Sequence, residues 1–263
     1  MIPENYLNMK YPSPEIFKDK FVGESAIIIA TGVSTKRLIQ YRNKLCTKFG
    51  VVIGLNRASD DFEKQMTHHL IVEKKPIDIY SDMAKNPKRY RKDLPRILNF
   101  KGLHRYPKYL NIIKVGRTKF DGNPDIRKYN NNNNEGLLSG PLGKLGFSLG
   151  TVSLQAIHLA SIMGCNNIYL SGVDLIFSEK FDHYYNDRAY RNGKPGPNKS
   201  PITKVTKNGK IYETTTHFRD SAEYLDKVIN TMCRPVGIEV YTFSDSLLTA
   251  PMQVDIDKFF GEP

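Results

Sequence analysis

The stretch that decides the fold is Gly164-Cys165-Asn166-Asn167-Ile168-Tyr169-Leu170-Ser171-Gly172-Val173-Asp174. It reads as a helix end, a tight turn, a short buried strand over 168–170, and then an abrupt small, polar and acidic tip. In open α/β sheets ligands bind outside the carboxyl ends of the strands. A hydroxyl, a glycine and a carboxylate at such an end (Ser171, Gly172, Asp174) therefore read as one wall of a pocket. An ordinary strand tip facing water would carry the same residues.

Working outward, residues 25–30 are a second buried-strand pattern that runs into Thr31-Gly32-Val33-Ser34. Residues 35–48 follow as a helix, with Leu38, Tyr41 and Leu45 on one face. Val51-Val52-Ile53-Gly54-Leu55 is a further strand ending at Asn56-Arg57, and residues 69–73 form another that ends at Glu73. Alternation of strand, polar tip and helix is the signature of a parallel α/β sheet. Residues 1–20, rich in proline and polar side chains, read as an extended arm on the surface. In the irregular middle, 82–98 reads as a helix broken by Pro87 and Pro95, and 110–115 as a strand. The asparagine run 130–134 and the glycine-dense 136–150 read as loops. A helix over 151–163 is capped by Ser148 or Thr151. Another spans 218–232, with Ala222, Leu225, Val228 and Ile229 inward, and a strand spans 238–243. The expected architecture is one Rossmann-like domain over 1–263, a mostly parallel sheet flanked by helices. It carries an irregular basic insertion at 76–147 and a lid-type insertion at 177–216.

Composition narrows the class. The chain has 263 residues, 40% hydrophobic, enough for one large core. Its apolar runs are far too short to span a bilayer. The opening Met1-Ile2-Pro3-Glu4-Asn5 lacks the basic-then-apolar pattern of a secretory signal. The cysteines Cys46, Cys165 and Cys233 are odd in number and scattered, with no metal-ligand spacing, so a reduced, cytoplasmic setting is expected. The formal net charge of +12 favours acidic partners: phosphorylated substrates, nucleic acid or an anionic membrane face. Peripheral attachment at the inner membrane face is compatible with it, and a homo-oligomer is left open. The charge is densest over 85–119, around Lys88-Arg89-Tyr90-Arg91-Lys92, but no known nucleic-acid module surrounds it.

Several constellations are able to carry chemistry. Thr31-Gly32-Val33-Ser34 joins a buried strand to a helix, a geometry that directs backbone amides at an anion. It lacks both the three-glycine dinucleotide fingerprint and the phosphate-loop lysine. Gly150-Thr151, followed by Ser153, is a second glycine-to-helix junction. Of the histidines, His158 lies in an apolar helix and reads as core, while His68 and His69 are adjacent on a strand and point to opposite faces. His183 and His217 are the candidates for proton transfer, with Asp220 placed to hold the His217 ring. Asp255-Ile256-Asp257 has a spacing used by metal-dependent glycosyltransferases, but it falls in the tail and carries little weight. No resident metal is expected.

The order Ile27-Ile28-Ile29-Ala30-Thr31-Gly32-Val33-Ser34, then 52–56, 160–174 and Ser246-Leu247-Leu248, resembles the bacterial lipooligosaccharide sialyltransferases. It also resembles uncharacterised proteins grouped with hydroxymethylpterin pyrophosphokinase-like enzymes. Short blocks carry the likeness, and 76–147 has no counterpart. The resemblance implies a Rossmann-like domain with a lid, a CMP-sialic acid donor and no metal or other cofactor. It implies that Thr31, Gly32, Ser34, Asn56, Thr151 and Ser153 meet the donor, with Glu73 at the place of a family asparagine. It also implies lid tyrosines that steady the leaving phosphate, a role for Tyr184 or Tyr185 because Ile176 replaces the first of them. His217 is the implied base. Asp174 is expected to position the donor or its loop. Two other functions stay open: an ATP- and Mg²⁺-dependent pterin pyrophosphokinase relative, and a nucleic-acid-binding protein using 85–119. For the transferase reading the partners are a nucleotide-sugar donor and a glycan or lipid-linked acceptor.

Overall fold

A computed structural model describes residues 16–71, 88, 90–98, 112–114 (backbone only), 151–176 and 202–261. Its centre is an eight-stranded sheet in which every paired neighbour runs parallel. In chain order the strands are β1 (Ser25–Ile29), β2 (Val51–Leu55), β3 (His68–Ile71), β4 (Arg96–Leu98), β5 (Ile112–Lys114) and β6 (Asn167–Ser171). After β6 comes an antiparallel hairpin, β7 (Ile202–Lys207) and β8 (Lys210–Thr215), and the sheet resumes with β9 (Glu239–Thr242) and β10 (Met252–Gln253). The spatial order is β10-β9-β6-β1-β2-β3-β4-β5. The chain moves outward from β1 to β5 and then returns to the other side of β1 to lay down β6. The β1/β6 boundary is thus a topological switch point, where an open parallel sheet forms its crevice.

Burial explains why these segments are strands. Ala26–Ile29 and Val51–Ile53 are wholly inaccessible, as expected of parallel strands covered on both faces. On one face Ile28, Ile53, Leu70 and Ile97 pack with Leu154, Ile157, Leu225 and Val228. On the other, Ile27, Ile29 and Val52 pack with Leu38, Tyr41, Leu45, Phe62 and Phe260. The helices are α1 (Thr35–Leu38), α2 (Leu45–Lys48), α3 (Ser59–Phe62), α4 (Val152–Ile162), α5 (Thr216–Val228) and α6 (Ile256–Phe260).

Several expectations are corrected. Residues 35–48 are not one α-helix: a 3-10 segment, Ile39–Lys44, separates α1 from α2. The three apolar positions are buried all the same. Residues 96–98, expected at the end of a helix, form β4, and the Pro95 carbonyl accepts from His69 N at 2.9 Å. Proline is tolerated at a strand entrance because its missing N–H falls outside the ladder. The N-terminal arm is not purely superficial: Phe17 is buried, and Asp19 and Phe21 donate backbone bonds to the Ile162 and Met163 carbonyls. Residues 202–215 of the expected lid are a hairpin turned by Asn208-Gly209, both at positive φ (52° and 74°). That is the left-handed pair that matches strand twist. Helix α5 runs on through a π-turn, Ile229–Cys233, with Ala222, Leu225, Val228 and Ile229 inward as expected.

The basic stretch is partly internal. Arg96 is completely buried and paired with Glu63, and its Nη1 donates to the Arg91 carbonyl at 2.7 Å. Arg91 donates to the Met66 carbonyl at 2.8 Å and to Asp93 at 2.6 Å. Among the described residues no helix is long and apolar enough to cross a membrane.

Candidate functional site

The carboxyl ends of β1, β6 and β9 meet in one polar knot at the switch point. Ser34 N donates to Asp174 Oδ2 at 2.9 Å, and Ser34 Oγ donates to Asp174 Oδ1 at 2.5 Å. Ser34 Oγ also lies 2.7 Å from Ser244 Oγ, and Gly172 N donates to Ser244 Oγ at 3.0 Å. The proton order follows from these partners. Ser34 gives its one hydroxyl proton to Asp174, so Ser244 is the donor to Ser34, and the Gly172 amide donates to Ser244. Every donor in the chain points toward one carboxylate, which is itself buried. Gly172 sits at φ +74°, and a Cβ there would collide with the Thr35 hydroxyl, which donates to the Ala30 carbonyl at 2.9 Å. A Cβ at Gly32 would lie 2.6 Å from Asp174 Oδ2.

This knot changes the meaning of the β1–α1 turn. Its amides were expected to face an anion, yet several are already paired. Gly32 N donates to the Gly172 carbonyl at 2.8 Å, Ser34 N to Asp174, and Thr35 N to the Gly32 carbonyl at 3.1 Å. A phosphate seated on the Ser34 amide would have to displace the Asp174 carboxylate. Thr31, half-buried, stands at the mouth of this turn. Ser171 is buried beneath it, and its carbonyl accepts from Ala30 N at 2.8 Å.

Asn56 follows β2 in the left-handed region (φ 46°), and His69 Nε2 donates to its carbonyl at 2.6 Å. Burial pushes the His69 imidazole down to about 3, and the Arg96 charge acts in the same direction. The ring is therefore neutral, with its proton on Nε2, and it holds the Asn56 backbone. His68 points to the other face, between Phe17 and Phe21, as the alternation of a strand requires. His158 is fully buried in α4, as expected of a core residue.

Topology brings two helix starts to the same edge. Helix α4 has 11 residues, about 16 Å of length, which matches a five-residue strand. It ends just before β6 begins, so Thr151 lies toward the carboxyl edge. Thr151 caps α4 by accepting from Ser153 N at 3.2 Å, and Ser153 is buried. By the same argument α5, which leads to β9, starts at that edge. There Thr215 caps it by accepting from Phe218 N, and His217 is its exposed second residue. A bond fixes this junction: Thr214 Oγ1 donates to the Leu175 carbonyl at 2.6 Å. Leu175, at φ 57°, is a strained position for a branched apolar residue, directly after Asp174. Asp220, expected to hold the His217 ring, instead accepts from Arg219 at 2.7 Å.

The structure thus gathers Gly32, Ser34, Ser171, Gly172 and Asp174 at one point. It places Asn56, Thr151 and His217 at the ends of neighbouring elements on the same edge. Glu73, Gly150, His183, Tyr184 and Tyr185 lie outside the described residues. Ser244 is a knot member that was not among the candidates; its only sequence signal is its place after the last apolar strand. The Asp255-Ile256-Asp257 spacing has a structural explanation. Asp255 caps α6 by accepting from Asp257 N and Lys258 N, and Asp257 accepts from Tyr41 Oη at 2.6 Å. Among the described residues no three His, Cys, Asp or Glu side chains converge as metal ligands.

No family model matches the sequence, and no curated protein matches it. The fold is similar to that of the MAf glycosyltransferase from Magnetospirillum magneticum AMB-1, with a TM-score of 0.60 at 14% sequence identity. The match covers 92% of this chain and 37% of that one, so the chain spans little more than a third of that protein's length.

Proposed function

We propose that the protein is a glycosyltransferase that moves a sugar from a CMP-activated donor to a hydroxyl acceptor, with the donor bound at the carboxyl edge of β1 and β6. The observation that carries this reading is the convergence at the switch point of Ser34, Asp174 and Gly172, with the His217-bearing start of α5 tied to the same strand tip through Thr214 and Leu175. The fold likeness to a glycosyltransferase and the short sialyltransferase-like blocks support it. Asp174 acts as the anchor of the turn, since its carboxylate accepts from both the amide and the hydroxyl of Ser34.

In the reaction, the bond between the anomeric carbon and the phosphate oxygen breaks, and its electron pair leaves on CMP. The acceptor oxygen bonds to the anomeric carbon, and its proton passes to the His217 imidazole. Hydroxyl and amide donors stabilise the charge that builds on the leaving phosphate. Tyr184 and Tyr185 are the proposed phenolic donors, and Thr31, Asn56 and Thr151 the proposed nucleotide contacts.

The test is a transfer and hydrolysis assay with CMP-sialic acid, set against UDP- and GDP-sugars, with and without chelator. Turnover of the CMP donor that survives chelation is expected. The His217→Ala protein should lose about 10²- to 10⁴-fold of that rate. An unchanged rate in that variant removes His217 from the mechanism. Thermal stabilisation by ATP with Mg²⁺ and not by CMP replaces the reading with a pyrophosphokinase one.

A further inference from the structure

An open cleft of about 520 Å³ lies between the β7–β8 turn and the loop that joins β9 to β10. Its volume falls within the ordinary range for small-ligand sites. Polar side chains enter it from both sides: Asn208 and Tyr212 from the hairpin, Asp245 and Gln253 from the loop and β10. Leu248 and Pro251 give it an apolar floor.

The loop wall is held from three directions. Lys207 Nζ donates to the Ser246 carbonyl at 2.8 Å and also to that of Leu248. Asp226 accepts from the Thr249 amide, the Thr249 hydroxyl and the Ala250 amide at 2.6–2.9 Å. Arg234 Nη2 donates to the Ala250 carbonyl at 2.6 Å. Three charged side chains from three different elements thus fix the loop that joins β9 to β10. A wall fixed before binding loses little entropy when a ligand arrives.

Asp245 is the chemical centre of this wall. Its Oδ2 accepts from Lys210 Nζ at 2.6 Å and its Oδ1 from Tyr212 Oη at 2.8 Å. Partial desolvation would raise its pKa, but these bonds outweigh that effect and keep the carboxyl below the usual range. Each carboxylate oxygen has a further lone pair, so both can accept again. The nearby cations, Lys207 and Lys210, are already bonded to carbonyls and to Asp245. The Asp245 carboxylate repels an anion placed against it and suits a neutral ligand with paired hydroxyls. An ionised carboxylate accepts from two adjacent hydroxyls, the Asn208 and Gln253 amides both donate and accept, and Leu248 and Pro251 meet a C–H face.

We infer that this cavity is a sugar-binding subsite that takes the ring of a neutral polyhydroxylated ligand. The inference rests on the reading of the protein as a glycosyltransferase, for which the cavity is the acceptor side. Ser244 belongs to the switch-point knot and Asp245 to the cavity wall, so consecutive residues bring the two sites together.

The experiment is an NMR titration of the isotope-labelled protein, without nucleotide, using methyl β-galactoside and N-acetylglucosamine as probes and inorganic phosphate as control. Saturable shifts are expected at Tyr212, Thr249 and Gln253, with a dissociation constant of about 1–10 mM for at least one sugar. Asp245→Asn and Gln253→Ala should each weaken binding at least about fivefold. Asn208→Gly should do the same while keeping the left-handed turn. The spectrum of each free variant shows whether it is folded. The inference is overturned by no saturable shift, by shifts that map elsewhere, by binding that all three folded variants retain, or by a response to phosphate alone. Sugar binding without CMP-donor turnover would remove the proposed reaction and leave the subsite. Turnover without sugar binding at the cavity would do the reverse.

Discussion

The hydroxyl of Ser34 stands between two other side-chain oxygens, Asp174 Oδ1 at 2.5 Å and Ser244 Oγ at 2.7 Å. Ser34→Ala removes one donor from a buried carboxylate and leaves the Ser244 hydroxyl to find another acceptor. The penalty for under-satisfied buried polar groups sets the cost at about 1–3 kcal/mol, read as a lowered urea midpoint. A variant as stable as the parent would show that the knot does not hold the strand tips together. Ser34 and Asp174 were each legible in the sequence as strand-tip residues. Their bond to one another was not, because nothing local to either residue shows that the Ser34 amide is already taken. Ser244 was harder still, since a serine after a strand has the same local pattern as a turn residue.

The element most misread from sequence is β4. The basic density of 88–92 and the two prolines suggested an interrupted, solvated helix. In the structure Arg96 enters the sheet, with its guanidinium buried against Glu63 after α3 and against the Arg91 and Leu94 carbonyls. Charge usually signals exposure, so a buried arginine that neutralises a buried glutamate defeats composition-based reading. Arg96→Met should cost about 3–5 kcal/mol, because it leaves Glu63 buried without its counter-charge. The double variant Glu63→Leu/Arg96→Met should recover most of that loss. Equal midpoints for the single and double variants in chemical denaturation would show that the pair is not coupled. The hairpin, by contrast, was open to reading: Lys207-Asn208-Gly209-Lys210 between two alternating runs is a strong short-range hairpin signal. It was submerged in the polar, aromatic composition of 177–216.

At the scale of the molecule, the parallel sheet was legible because its strands are near-continuous apolar runs bounded by turn residues. The same burial gives the whole protein a defined response to acid. Burial pushes the imidazoles of His69 and His158 down to about 3 and that of His68 to about 4, against an ordinary 6.5. Between those values and 6.5 the unfolded chain binds more protons than the folded one, so folding stability rises with pH through that window and is lost as pH falls. Each histidine contributes a slope approaching about 1.4 kcal/mol per pH unit. Urea midpoints should therefore fall steadily below about pH 6.5, and His158→Leu should flatten the decline. A pH-independent midpoint over that range would contradict the burial of all three rings.

The knot at the switch point also bears on how the chain folds. Ser34 and Asp174 are 140 residues apart in sequence, and Ser34 and Ser244 are 210 apart. Contacts of such separation require large loops to close and form slowly compared with local structure. The knot is therefore completed only when β9 joins the sheet. No contiguous fragment that stops short of Ser244 contains all of it, and an opening of β9 alone takes Ser244 out of it while the Ser34–Asp174 bonds and the β1–β6 pairing remain. The complete knot is in this sense among the last parts of the molecule to be assembled, and Ser244 is the member it loses first.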